Sequence, residues 1–172
     1  MGQQDEIAAY IGQLGAADST VQENAVDALV KIGAAALDML VMAVNDGDAT
    51  ICANAIEALG QIRDTRALGP LVVALQDSDD HVVLAAITAL RRIGDPRAVP
   101  HLIPFLSYDD IHLHFNATHA LGQIRHDETF EALLEALESD DENMRHGSIV
   151  ALGRLGDTRA IAPIMRLLAD TA

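Results

Sequence analysis

The feature that most constrains the fold is an internal repeat with a period of 31 residues. Aliphatic residues recur at this spacing in two columns. The columns are Leu59, Leu90, Leu121 and Leu152, and Ile62, Ile93, Ile124 and Leu155. A fixed period of about 20–50 residues indicates a stacked array of small units, each of which buries its apolar face only against its neighbours. The chain is therefore not predicted to form one conventional globular core.

Each repeat contains the signals for two helices. An aspartate stands three residues before the first apolar residue of each first helix, where its carboxylate can cap free backbone N–H groups. These aspartates are Asp18, Asp48, Asp79, Asp110 and Asp141. Asp64, Asp95 and Asp157 occupy the equivalent position before the second helices, and His126 replaces aspartate in the fourth repeat. Small residues that permit close helix contacts recur at Ala25, Ala55, Ala86, Ala117 and Ser148.

These patterns predict an all-α fold, a right-handed α-solenoid of two-helix repeats. We expect a single solenoid domain over residues 1–172, which begins with a lone helix at about 5–15. Five repeats follow, at about 18–45, 48–76, 79–107, 110–138 and 141–170. Pro104 falls inside a second helix and removes one backbone hydrogen bond, so we expect a local kink there.

The consensus D-x-x-V-x-x-x-A-x-x-A-L-G-x-I-G-D-x-R-A resembles the HEAT-like repeats of the phycocyanobilin lyase group. The resemblance extends over about residues 18–170. It implies an armadillo-like helical scaffold that binds other proteins, and it leaves open a tetrapyrrole lyase or chaperone. Such repeats serve several unrelated functions, so the resemblance is more specific for the fold than for the activity.

Charge and composition exclude several classes of function. The net charge of −15 repels phosphate backbones and argues against nucleic acid as a partner. DNA glycosylases built from similar repeats need a basic concave face. No apolar run reaches the roughly 18 residues that span a bilayer, and the start shows no signal-peptide pattern. The single Cys52 forms no internal disulfide, and together these features predict a cytoplasmic protein.

The histidines do not form a recognisable metal motif. His81 and His112 share a column, but no His pair has i, i+4 spacing on one helix. Deoxyhypusine hydroxylases resemble this repeat and hold iron through His-Glu dipeptides. At the corresponding positions only His146 matches, and every glutamate is absent. We therefore predict no metal site, no cofactor site and no catalytic residue.

The outward face of the second helices is the main candidate for binding a partner, because it lines the concave side of HEAT arrays. Its candidate residues are Met39, Met42, Pro70, Val73, Arg97, His101, Pro104, Tyr108, Glu135 and Arg166. This face is apolar toward its N-terminal end and charged toward its C-terminal end, and its apolar part is also explained by burial within the array. Leu84 and Phe115 form a smaller candidate surface on the convex side.

Two further patterns have alternative explanations. Asn24, Asn54 and Asn116 form a column, which serves either to grip a peptide backbone or to pair with neighbouring turns. Arg97, Glu128 and Arg159 have the spacing of a charge ladder between repeats.

The sequence predicts a non-enzymatic scaffold that binds a protein or peptide through its concave face. The alternative is a bilin lyase or chaperone that acts on a phycobiliprotein-like partner. Neither nucleic acid nor a membrane is expected as a partner. The last helix has no following repeat to cover it, so self-association through that helix is also predicted as an option.

Overall fold

Residues 2–170 are described by a computed structural model, apart from the side chains of Leu168 and Asp170. Met1, Thr171 and Ala172, which the predicted domain includes, lie outside the described residues. Every regular element in the described range is helical and no strand forms there, which confirms the all-α class. The chain divides into two compact units between Ile93 and Gly94. The predicted repeat boundaries stay a prediction.

Residues 2–93 of the first unit form six α-helices. They are α1 (Gln3–Gln13), α2 (Ser19–Ile32), α3 (Leu37–Ala43), α4 (Ala49–Ile62), α5 (Leu68–Ala74) and α6 (Asp80–Ile93). Short 3₁₀ segments at Gly33–Ala36 and Thr65–Ala67 lead into α3 and α5. The helix α1 begins two residues before the predicted start, because the Gly2 N–H donates to the Asp5 carboxylate at 2.9 Å.

Residues 94–170 of the second unit form five α-helices. They are α7 (Val99–Leu102), α8 (Ile111–Leu121), α9 (Asp127–Leu137), α10 (Glu142–Leu155) and α11 (Ile161–Asp170). Segments of 3₁₀ helix precede α7 at Pro96–Ala98, follow it at Ile103–Ser107, and precede α11 at Thr158–Ala160. The change from α to 3₁₀ geometry begins one residue before Pro104, which has no N–H to continue the α-helical bonding. The irregularity predicted at Pro104 is therefore present.

The aspartates predicted to cap the first helices all do so. The Asp18 carboxylate accepts from the Thr20 N–H at 2.8 Å, and Asp79 accepts from the His81 N–H at 2.8 Å. Asp48, Asp110 and Asp141 make equivalent bonds in their repeats. Each carboxylate also lies at the positive end of the helix macrodipole. The regular start of each repeat is thus encoded locally in the chain.

His126 caps α9 less effectively than aspartate caps the other helices. Its Nδ1 accepts from the Glu128 N–H at 3.4 Å, whereas the Asp95 carboxylate accepts from the Arg97 N–H at 2.9 Å. We expect His126→Asp to raise the free energy of unfolding by about 0.5–1 kcal/mol. Chemical denaturation at neutral pH measures the change. A marked loss of stability would show that His126 has another structural role.

The small residues that recur once per repeat lie in the core. Ala25, Ala55, Ala86, Ala117 and Ser148 are all fully buried. Helices α4 and α6 approach closely at Gly60 of α4, where a Cβ atom would lie 2.7 Å from the Ala89 Cα of α6. Large aliphatic side chains such as Leu59, Leu71, Leu90 and Leu121 fill the space around these contacts and are fully buried.

The fourth repeat departs from the others at its inter-helix turn. Its first helix, α8, has 11 residues, whereas α4, α6 and α10 each have 14. The helix α9 then begins directly at Asp127, without a preceding 3₁₀ segment. The residues that follow α4 and α10, Arg63 and Gly156, have left-handed φ angles of 59° and 69°, whereas Gly122, which follows α8, has a right-handed conformation. Residues 122–126 therefore form a longer turn at the end of α8.

Candidate partner-binding surfaces

The second helices of the first unit expose apolar side chains at one repeat position. Met42 of α3 is 76% exposed and Val73 of α5 is 65% exposed, and the two residues are 31 positions apart. Their neighbours Met39 and Pro70 are half-buried. Leu71 of the same helix is fully buried, so α5 has a clear division between its core face and its outer face. Large apolar side chains that are exposed at a repeated position are candidates for an interaction site.

The corresponding face of the second unit carries mixed chemistry. Arg97, His101 and Pro104 are exposed, and Tyr108 is 46% exposed. The Tyr108 ring lies 4.6 Å from the Phe105 ring, which is buried. Tyr108 therefore packs against the core through Phe105 while nearly half of the residue stays exposed, which suits an interface residue.

The remaining predicted residues of this face are charged and exposed. Glu135 lies on α9 and Arg166 lies on α11. Of the ten candidate residues of this face, Met39 and Pro70 are half-buried and the other eight are exposed. Whether these side chains contact a partner stays a prediction.

The predicted Arg97–Glu128–Arg159 ladder is wrong. Arg97 instead binds Asp95, the cap of its own turn, with Nη2 to Oδ2 at 2.6 Å. Arg66 does the same with Asp64 at 2.7 Å. In both turns the aspartate also accepts the backbone N–H of that arginine, so side chain and backbone close a small ring. A guanidinium prefers this bidentate arrangement over one distant carboxylate.

Arg159 makes the same ring with Asp157 and extends further. Its Nη2 donates to Asp157 at 2.6 Å and to Asp127 of the preceding repeat at 2.8 Å. Its guanidinium also lies 4.3 Å from the centre of the Phe130 ring. Arg159 therefore connects α9 to the last turn through Asp127 rather than through Glu128.

The Asp–Arg rings should make the free energy of unfolding depend on pH in the acid range. Hydrogen bonds from the Arg66 side chain, and then from its backbone N–H, lower the pKa of Asp64 to about 2. An unfolded aspartate has a pKa of about 3.9. Because the folded pKa is the lower one, the stabilisation is complete above about pH 4 and is lost as pH falls toward 2. Arg97 and Arg159 lower the pKa values of Asp95 and Asp157 in the same direction.

Carboxyl ¹³C NMR titration measures these pKa values directly. We expect Arg66→Gln to raise the pKa of Asp64 toward its ordinary value and to leave that of Asp95 unchanged. An Asp64 pKa near 3.9 in the unmodified protein would contradict the ring.

The first helices expose a second apolar surface in the second unit. Phe115 of α8, predicted as a convex candidate, is 55% exposed, and Ile111 four residues earlier is 73% exposed. The sequence interpretation missed Ile111, although i, i+4 spacing from Phe115 places both on one helix face. Leu84, the other convex candidate, is half-buried between α4 and α6, where Ala53, Asn54 and Arg92 line the same groove.

The last helix exposes apolar residues that the sequence interpretation also missed. Ile161 and Met165 of α11 are both largely exposed and have i, i+4 spacing. Self-association through this helix stays a prediction.

The polar residues singled out in the sequence mostly have structural partners. Asn54 donates to the Leu14 carbonyl at 2.7 Å, whereas Asn116 donates to the His112 carbonyl of its own helix at 2.8 Å. The Cys52 thiol is buried and donates to the Asp46 carbonyl at 3.0 Å. Burial raises its pKa, and the carboxylates of Asp77, Asp46 and Asp48 act in the same direction. A thiol in this setting is a poor nucleophile.

Across residues 2–170, no three His, Cys, Asp or Glu side chains come together in a way that could hold a metal ion. No helix in the described part of the chain is both long and apolar enough to cross a membrane.

Solved structures with a similar fold are repeat proteins. The complex of CpcE and CpcF of phycocyanin lyase from Nostoc sp. PCC7120 matches with a TM-score of 0.71 and 23% identity, covering 87% of this chain and 99% of that chain. A designed armadillo repeat protein matches with a TM-score of 0.57 and 19% identity, covering 94% and 87%. A second designed armadillo repeat protein, in complex with the peptide (KR)4, matches with a TM-score of 0.58 and 18% identity. The match covers 95% of this chain and 88% of that chain.

These similarities confirm the predicted fold class, an α-solenoid of HEAT-like repeats. No curated protein sequence matches the chain. The family model for HEAT repeats matches residues 37–113 and 106–172, which together make up most of the chain. The chain therefore belongs to the HEAT repeat family.

Proposed function

We propose that the chain is a non-enzymatic scaffold that binds a protein or peptide through the outer face of its second helices. The observation that carries this proposal is the pair Met42 and Val73. Both are large, apolar and mostly exposed, and both occupy the same position in consecutive repeats. A repeated apolar position suits a partner that presents apolar side chains at a regular spacing.

The charge of the chain defines the partner further. With a net charge of −15, the protein attracts basic partners and repels acidic ones over several ångströms. A partner segment with apolar side chains between Lys or Arg residues complements both properties. The designed armadillo repeat protein that was solved with a (KR)4 peptide supports the idea that this fold can present a surface for a basic peptide.

Fluorescence anisotropy with two synthetic peptides tests the proposal. One peptide alternates Leu and Arg, and the other alternates Leu and Glu at the same length. We expect the basic peptide to bind in a saturable manner and the acidic peptide not to bind. Salt should weaken the complex without abolishing it, because part of the free energy of binding comes from apolar contact.

Variants on the two faces identify the surface. Val73→Glu and Tyr108→Ala should each weaken binding by tenfold or more, on the order of the 2 kcal/mol of an interface anchor. Their thermal stability should stay nearly unchanged, because exposed substitutions cost under about 0.5 kcal/mol in folding. Phe115→Ala on the first-helix face is the matched control and should bind the basic peptide normally. Loss of binding in Phe115→Ala alone would refute the proposed surface.

A role in bilin attachment is the second candidate function. It is supported by the similarity to the phycocyanin lyase complex, which covers 99% of that chain. Incubation with phycocyanobilin followed by gel filtration distinguishes the two candidates. A pigment absorbance band that elutes with the protein would favour the lyase or chaperone role, and a colourless protein peak would favour the scaffold.

A further inference from the structure

One pair of neighbouring positions differs between the two units, because an acidic residue in the first unit is replaced by histidine in the second. In the first unit, Glu57 of α4 and Arg92 of α6 form a salt bridge at 3.5 Å. The residues 62 positions later, two repeats along, are His119 of α8 and Arg154 of α10. The arginine is kept, but its carboxylate partner is replaced by an imidazole.

The structure holds Arg154 beside the end of α8. A Cβ atom at Gly122 would lie 2.6 Å from the Arg154 Cβ and 3.0 Å from its Cδ, so only glycine lets the stem of Arg154 pack there. The Arg154 guanidinium lies 5.8 Å from the centre of the Phe115 ring. Among the described residues, Arg154 forms no salt bridge with a carboxylate, and its guanidinium lies over the Phe115 ring.

The short helix α8 opens a cavity next to this arginine. The cavity has a volume of about 410 Å³ and is lined by His119, Gly122, Gln123, Arg125 and Arg154. The Gln123 side chain contacts the His119 ring nitrogen at 3.0 Å, which fixes one wall. None of the five lining residues is acidic, although acidic residues outnumber basic ones 26 to 11 in the chain.

Arg125 is the second arginine that lines this cavity. It lines a second cavity with Asp127 and Asp157, but both of those carboxylates bind Arg159 at 2.8 and 2.6 Å. Within the described part of the chain, Arg125 forms no salt bridge. Arg125 and Arg154, neither of which forms a salt bridge among the described residues, therefore line one cavity of a strongly acidic protein.

We propose that this cavity binds an oxyanion on a peptide, with an apolar side chain of that peptide packed on Ile111 and Phe115. Guanidinium groups bind phosphate and carboxylate through paired hydrogen bonds. Phe115 and Ile111 provide an exposed apolar surface on the same helix that carries His119. The site lies on the first-helix face of the second unit and does not depend on the basic peptide proposed above.

Titration of the whole ¹⁵N-labelled protein with small probes tests the site. The probes are phenyl phosphate, benzoate and inorganic phosphate, with sodium chloride added to match ionic strength. We expect saturable shifts of the Gln123, Arg125 and Arg154 amide signals with at least one of the two aromatic probes. That probe should bind about tenfold more tightly than inorganic phosphate, because the ring adds apolar contact. The tighter aromatic probe identifies phosphate or carboxylate as the preferred anion.

Matched variants in the two units make the test specific. Arg154→Gln should weaken binding of the aromatic probe about tenfold, and His119→Glu should do the same by restoring the salt bridge seen in the first unit. Arg92→Gln, at the equivalent position of the first unit, should bind normally. Equal loss in Arg92→Gln and Arg154→Gln would overturn the proposal. Shifts that rise linearly and match those with sodium chloride would also overturn it.

Discussion

Leu71→Ala should lower the free energy of unfolding by about 2–5 kcal/mol. Leu71 is fully buried in α5, on the opposite side of the helix from the exposed Val73. Truncation removes apolar contacts and leaves a cavity that the packed helices cannot fully close. Urea denaturation followed by circular dichroism measures the change. The variant should still bind the basic peptide at temperatures where it remains folded.

Val73→Ala on the same helix is the control. Its side chain is mostly exposed, so the expected change in stability is under about 0.5 kcal/mol. A loss comparable to that of Leu71→Ala would mean that Val73 belongs to the core and that the outer face of α5 is not a binding surface.

Gly60→Ala should destabilise the protein although it places alanine in a helix interior. Alanine normally gains up to about 1 kcal/mol over glycine there. At Gly60 the new Cβ would lie 2.7 Å from the Ala89 Cα and 2.8 Å from the Ala89 Cβ, so α4 and α6 must move apart. Overpacking of this kind costs about 1–3 kcal/mol, and a backbone atom cannot rotate away.

Gly153→Ala provides the matched comparison. Gly153 of α10 occupies the same repeat position as Gly60, and no atom lies within 4 Å of its added Cβ. We expect Gly153→Ala to raise the free energy of unfolding by about 0.5–1 kcal/mol. Thermal denaturation of both variants should therefore show shifts of opposite sign. Two shifts of the same sign would refute the close approach of α4 and α6.

Much of the fold could be predicted from the sequence, because the repeat signals are local. Asp18, Asp48 and Asp110 cap the helices that their spacing indicates. The small-residue column at Ala25, Ala55 and its counterparts is buried as expected. Both signals depend on residues a few positions apart, and tertiary contacts do not override them here.

The candidate sites were less predictable, since they depend on which side chains meet across helices. The arginines of the second-helix turns bind their own aspartates, and a column alignment cannot distinguish that choice from a ladder between repeats. The same alignment shows Glu57 and His119 in one column, but not that Glu57 pairs with Arg92 or that His119 and Arg154 line one cavity. The cavity beside Arg154 also requires the early end of α8 at Leu121, and no residue pattern signalled that end.

Because each Asp–Arg ring closes within one turn, repeats can be added to such an array one at a time. At Asp64–Arg66 and Asp95–Arg97, the cap and its counter-ion lie within three consecutive residues. A gene segment of one period therefore carries a complete turn, with its charge already neutralised, wherever it is inserted. Duplication of such a segment would lengthen the array without requiring a compensating change in the adjoining repeat. Arg159, which also reaches Asp127, marks a turn that could not be moved so freely.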